Sequence, residues 1–251
     1  NVILLDNTSK GYTYSLTAQL QKKFGNGISA MFAYTNSKAQ SINDGASSTA
    51  LSNWNSTSMS QVDGPNNQTL GTSLFQLRHR LVGSLAYKME YGKNKLFSTG
   101  ISIFYSGSSG QPYSYVYNGD LNGDGGRSND LIYVPRTQND IKLVTTSTFT
   151  TPVADQWTAL NNFIANDSYL NSRRGQYAER NSAETPWTHE FDVRFTQDIG
   201  FLVKGVKNKI QFTFDIFNVG NLINKDWGRQ YSVPSQSLSL ITYTGSGYTF
   251  Q

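Results

Sequence analysis

The sequence contains no cysteine, and only two histidines and six prolines in 251 residues. Without thiols it forms no disulfide and offers neither a thiolate nucleophile nor a zinc-thiolate site. Lack of cysteine does not fix a compartment. No apolar run approaches the roughly 20 residues of a spanning helix, which excludes a helical membrane protein. There is no Gly-x-Ser-x-Gly elbow, no zinc-spaced histidine pair and no phosphate loop, and the chain is expected not to be an enzyme. Hydrophobic residues make up 37% and charged residues 15% of the chain, and a mean hydropathy of −0.46 taken alone describes a soluble protein. The net charge of +4 does not point to nucleic acid, because the basic residues are scattered. Several stand beside turns (Lys22, Lys23, Lys93, Lys95, Lys204, Lys207, Lys209). That suits a rim facing headgroups or solvent rather than a groove tracking phosphates.

What the chain has instead is strict alternation. Tyr12, Tyr14, Leu16, Ala18 and Leu20 alternate with Thr13, Ser15, Thr17, Gln19 and Gln21. Trp187, His189, Phe191, Val193 and Phe195 alternate with Thr188, Glu190, Asp192, Arg194 and Thr196, and Ile210, Phe212, Phe214 and Ile216 with Gln211, Thr213 and Asp215. Successive side chains on a strand point to opposite faces, so each segment has one apolar and one wet face. Sustained over about ten residues and separated by turns, this is the pattern of a transmembrane β-barrel, and only every second residue then needs to face lipid. Aromatics at 13% suit interfacial girdles. Phe24, Tyr91, Phe97 and Phe201 near the tight turns are expected to form one of them.

Turns give the order of the strands. Gly25-Asn26-Gly27 joins strands expected at about 11–24 and 27–38, Tyr91-Gly92-Lys93-Asn94 joins about 73–91 to 95–108, and Lys204-Gly205 joins about 187–201 to 207–219. Long polar segments at 39–70 and 109–186 lie between the hairpins, and a weaker strand-like stretch runs from about 231 to 250. The expectation is an all-β, antiparallel transmembrane barrel wall of about seven strands. Short turns then face the periplasm and long loops face outward. A soluble β-sandwich alternates too, but with strands of about five or six residues.

Within 109–186, Pro152 to Leu170 spaces Val153, Trp157, Leu160, Phe163 and Ile164 at helical intervals, which predicts a short amphipathic loop helix with Pro152 in its first turn. Trp54, Trp157 and Tyr113 are candidate contact residues of the loops for a ligand or partner. For Trp157 and Phe163 the plain alternative is that they pack this loop onto its neighbours. Glu190, Asp192, Arg194, Gln211, Thr213 and Asp215 fall on the polar register and are expected to face the lumen, an assignment that a one-residue slip would invert.

Asp120-Leu121-Asn122-Gly123-Asp124-Gly125, followed by Asn129-Asp130, sets oxygen ligands at positions one, three and five and glycine at six, like the first half of an EF-hand loop. Asp120, Asn122, Asp124 and Asp130 are therefore a candidate calcium site. The match is incomplete, because Asp130 stands at position eleven rather than twelve. Consecutive Asx turns are the alternative reading.

The run Gly110-Gln111-Pro112-Tyr113-Ser114-Tyr115, the Asp/Asn/Gly segment and Asn129-Asp130-Leu131-Ile132-Tyr133-Val134-Pro135 resemble the C-terminal barrel of large TonB-dependent receptors of Bacteroidota. The likeness is to the Oar-like kind with a carboxypeptidase-regulatory-like N-terminal domain. Phe217-Asn218-Val219-Gly220-Asn221-Leu222 and Asn224 to Tyr231 are similar to a late loop of the same family. The resemblance implies that residues 1–251 are the C-terminal portion of one barrel of about 22 strands, with plug and N-terminal domain absent. It further implies active uptake of a ligand across the outer membrane through TonB acting on that plug, with the lumen residues contacting plug or solute. A surface lipoprotein or other subunit over the long loops is an additional expected partner. The rival readings are a complete small barrel acting as pore, adhesin or anchor, and a soluble carbohydrate-binding β-domain.

Overall fold

The computed structural model describes residues 3, 6–45, 47–55 and 60–250. Its framework is an antiparallel sheet of long strands: β1 (Tyr12–Lys23), β2 (Ile28–Ser41), β4 (His79–Tyr91), β5 (Phe97–Ser108), β8 (Thr188–Val203) and β9 (Val206–Ile216), hydrogen-bonded in that order. The short helix α1 (Ala50–Trp54) follows β2, and β3 (Gly71–Thr72) pairs the end of β2 as the seventh strand. The alternation of the sequence survives pairing. One row across the sheet reads Leu20, Phe32, Gly83, Tyr105, Phe191, and a row on the opposite face reads Thr17, Thr35, Arg80, Ser108, Thr188.

The three tight connections follow turn chemistry. Lys204 and Gly205 both adopt positive φ (51° and 80°), and the two-residue loop brings Val203 opposite Val206, the backbone a type I′ turn requires. Gly27, at φ 85°, lies so close to the Lys88 carbonyl that a Cβ there would collide with it.

A second module stands at the far ends of these strands from the tight turns. β6 (Pro112–Asn118) is flanked by β7 (Ala183–Glu184) on one side and by a parallel β10 (Ser237–Tyr243) on the other, and β11 (Tyr248–Thr249) pairs β10. Against this sheet pack α2 (Val153–Asn166) and α3 (Ser168–Ser172). α2 buries Gln156, Leu160 and Ile164, one stripe at intervals of four. The buried Gln156 amide donates to the carbonyls of Val144 (2.9 Å) and Thr151 (2.8 Å) and accepts from the Phe250 N–H (3.1 Å), so all three groups are satisfied inside the core. Asp167 ends α2 and caps α3 by accepting from the Leu170 N–H at 2.8 Å. Its other oxygen accepts from the Tyr115 hydroxyl at 2.6 Å.

The module is fastened to the sheet by several bonds. The Arg180 guanidinium donates to the carbonyls of Ser41 and Ile42, the Asn181 amide donates to the Thr72 carbonyl at 2.9 Å, and Arg78 pairs with Glu184 at 2.9 Å. Gly110 lies against the Thr185 backbone with no room for a Cβ.

Three differences from the sequence reading have physical causes. The stretch 231–250 does hold strands, but β10 and β11 belong to the module and not to the long-strand sheet. The strand expected from 73 starts at His79, because Ser73 to Gln76 close a turn and the Gln76 side chain accepts from the Ala39 N–H. The helix expected through Leu170 breaks at Asp167, whose extended backbone and side-chain cap start a new helix.

Burial divides the molecule sharply. Every buried hydrophobic side chain among the described residues belongs to the module, including Tyr115, Val134, Leu160, Ile164 and Ile241. The six long strands bury none, and their apolar face is open, with Leu20 77% and Phe214 63% exposed.

Candidate functional site

The polar face of the long-strand sheet carries two groups of charged side chains. Arg194 and Asp215 are directly opposed on β8 and β9, and the guanidinium donates Nε to Oδ1 at 2.6 Å and Nη2 to Oδ2 at 2.9 Å. The fork geometry matches two parallel N–H bonds to the two carboxylate oxygens. Both line a cavity of about 280 Å³ together with Ser102, Phe104 and Asp192.

Toward the tight turns the same face gathers around Asp198. Its carboxylate accepts from Ser98 Oγ (2.9 Å), Gln211 Nε2 (2.7 Å) and Lys209 Nζ (3.3 Å), with Lys88 Nζ at 3.8 Å. Four strands, β4, β5, β8 and β9, thus converge on one acid. Asp198 is absent from the candidates drawn from sequence, although the alternation of β8 carries directly on to it from Arg194 and Thr196.

The other sequence candidates fall as follows. Glu190 and Asp192 share the face of Arg194, and Asp192 accepts from the Asn218 N–H at 2.8 Å. Thr213 is opposite Thr196 and Gln211 opposite Asp198. Trp157 and Tyr113 pack against the module core, with the Tyr113 hydroxyl 3.0 Å from that of Tyr115. Trp54 ends α1 half-buried.

On the apolar face, rings from four segments form a ladder. Tyr34, His79, Trp187, His189 and Tyr105 follow each other at centroid distances of 5.9–6.1 Å, each pair within 15° of parallel. The hydroxyls of Tyr34 and Tyr105 lie 2.8 Å from Nδ1 of His79 and His189. These histidines are held as members of an aromatic row. The row lies near the module end of the strands, where an aromatic girdle stands in a barrel.

Between sheet and module is a larger, polar cavity of about 990 Å³, lined by Lys38, Arg78, Arg173 and Arg180 among others. Burial pulls the Arg180 pKa below the usual arginine value. Arg173 and Arg78 are paired with Glu179 (3.0 Å) and Glu184 (2.9 Å).

In the segment 120–130 the carboxylate of Asp120 accepts the N–H groups of Gly123 (2.7 Å), Asp124 (3.1 Å) and Gly125 (3.0 Å), and Asp130 accepts from the Leu121 N–H at 2.7 Å and from the Asn122 amide. The Asx turns expected as the plain alternative are therefore present. Among the described residues no three acidic or histidine side chains stand close enough to hold an ion by themselves.

An open apolar face, a polar face with paired charges and tight turns at one end define the wall of a membrane-spanning antiparallel β-barrel. No helix among the described residues is long and apolar enough to cross a membrane. The chain belongs to the family described as Outer membrane beta barrel domain, whose profile matches residues 1–251. Comparison with curated proteins and with solved structures returned no match. Family membership makes this an outer-membrane protein and sets aside the soluble carbohydrate-binding reading.

Proposed function

We propose that the chain forms wall and external loops of a TonB-dependent outer-membrane transporter that takes up a ligand actively. The observation that carries this reading is the pairing of an open apolar face with a polar face on which Arg194–Asp215 and the Asp198 cluster tie adjacent strands together. A water-filled or plugged lumen needs such a face, whereas a barrel of about eight strands fills its interior with side chains. The resemblance of 110–135 and 217–231 to TonB-dependent receptors supplies the energy source: TonB would act on a plug seated against Glu190, Asp192, Arg194, Gln211, Thr213 and Asp215. In this orientation the tight turns face the periplasm, and the module built by 109–186 and 237–250 stands outside. There it is open to a surface lipoprotein or another subunit.

Intact mass of the native polypeptide from detergent-extracted outer membrane, followed by capture on the purified periplasmic domain of TonB, tests the proposal. A mass several times 27.9 kDa together with retention on TonB is the expected result. A mass close to that value without retention contradicts it and leaves a small barrel serving as pore, adhesin or anchor.

A further inference from the structure

We infer that the loop 120–130 is a calcium site, with Asp120, Asn122, Asp124, Asn129 and Asp130 supplying oxygens to one ion. Three carboxylates lie on this loop, and none of the ion pairs among the described residues includes Asp120, Asp124 or Asp130. Asp130 is only 2% exposed, and its hydrogen-bond donors, the Leu121 N–H and the Asn122 amide, are neutral. A buried carboxylate held only by neutral donors is costly until a cation arrives.

Asn129 supplies the independent observation. The residue is 3% exposed, its Nδ2 donates to Asp124 Oδ2 at 3.1 Å, and its Oδ1 is buried with no hydrogen-bond partner. An acceptor left orphaned beside carboxylates lacks a positive partner. The amide fits there because residue 126 is glycine, where any Cβ would collide with it.

The donor chemistry selects the ion. All five groups are oxygen donors on a flexible Asp/Asn/Gly loop, with neither imidazole nor thiolate. A hard cation that accepts six to eight oxygens in variable geometry suits them, whereas magnesium demands a near-ideal octahedron. The three carboxylates do not close on one point by themselves, so two amide oxygens complete the set, with the Asn122 amide turned to present its oxygen.

The ion would also act at a distance. The Gln61 N–H donates to the Asn129 carbonyl at 3.0 Å and the Leu131 N–H to the Gln61 carbonyl at 2.9 Å. Fixing 120–130 therefore fixes the segment around Gln61, one wall of the 990 Å³ cavity.

The test uses the native full-length protein in detergent, stripped with chelator and then given calcium at about 1 mM, the range of extracellular calcium modules. Arg127 is exposed within the loop, so tryptic cleavage after it, followed by mass spectrometry, reports on this site alone. Calcium is expected to slow that cut at least tenfold in the wild type, magnesium to leave it unchanged, and Asp124→Asn to lose the protection while keeping heat-modifiable barrel mobility. Should Asp124→Asn fail to assemble, Asn129→Ala replaces it with the same expected loss. Cleavage after Arg127 that is equally fast with calcium and with chelator in the wild type overturns the inference and leaves a solvated turn.

Discussion

Arg194 on β8 and Asp215 on β9 face one another across a single ladder position, and the guanidinium donates two parallel hydrogen bonds of 2.6 and 2.9 Å to the carboxylate. The guanidinium side chain is 58% exposed, so water competes for both partners. A double-mutant cycle with Arg194→Ala and Asp215→Ala, read by urea unfolding in lipid vesicles, is expected to give a coupling below about 1 kcal/mol. A coupling of about 3–5 kcal/mol would belong to a desolvated pair and would contradict a wet face.

The module is expected to melt without the wall. Leu160 is fully buried against Tyr115, Ile164 and Ile241 in one cluster, so Leu160→Ala should cost about 2–5 kcal/mol. The loss falls on 109–186 and 237–250. Those segments should become protease-sensitive, while the heat-modifiable mobility of the barrel on gels persists. Simultaneous loss of both would show one cooperative unit.

Alkaline conditions act on the same core. Burial, reinforced by the hydrogen bond to Asp167, raises the Tyr115 pKa, and burial raises that of Tyr117. The neutral phenols stabilise the fold at all pH below the unfolded tyrosine value near 10, and that contribution is lost as pH rises above it. Near-UV circular dichroism of the module tyrosines should therefore collapse above about pH 10, and in Tyr115→Phe the collapse should shift to higher pH. An unchanged midpoint in that variant would remove Tyr115 as a cause.

The strands were legible because their evidence is local. From Tyr12 to Leu20, or from Trp187 to Phe195, each residue declares its own face, and pairing only confirms a pattern of period two. The module was less legible because its contacts are not local. β10 joins β6 in parallel, with Ser237 opposite Ser114, and nothing in the order of residues near 237 announces a partner so far back along the chain. Gln156 reads as a surface residue of an amphipathic helix, yet it is buried because the carbonyls of Val144 and Thr151 and the N–H of Phe250 need its amide. Asp198 was legible in principle, two steps beyond Thr196 on the same face. Its significance is not, since Ser98, Lys88, Lys209 and Gln211 come from three other strands.

The central claim is that neighbouring side chains on β9 look into different solvents. Phe212 is 61% exposed on the apolar face, and Thr213 is adjacent on the polar one. The chain has no cysteine, so Phe212→Cys and Thr213→Cys place single environment-sensitive labels in it, to be quenched in vesicles by lipid-borne nitroxide and by aqueous iodide. A membrane wall predicts nitroxide quenching at 212 and iodide quenching at 213. Equal quenching of both labels by iodide, with none by lipid, would contradict it.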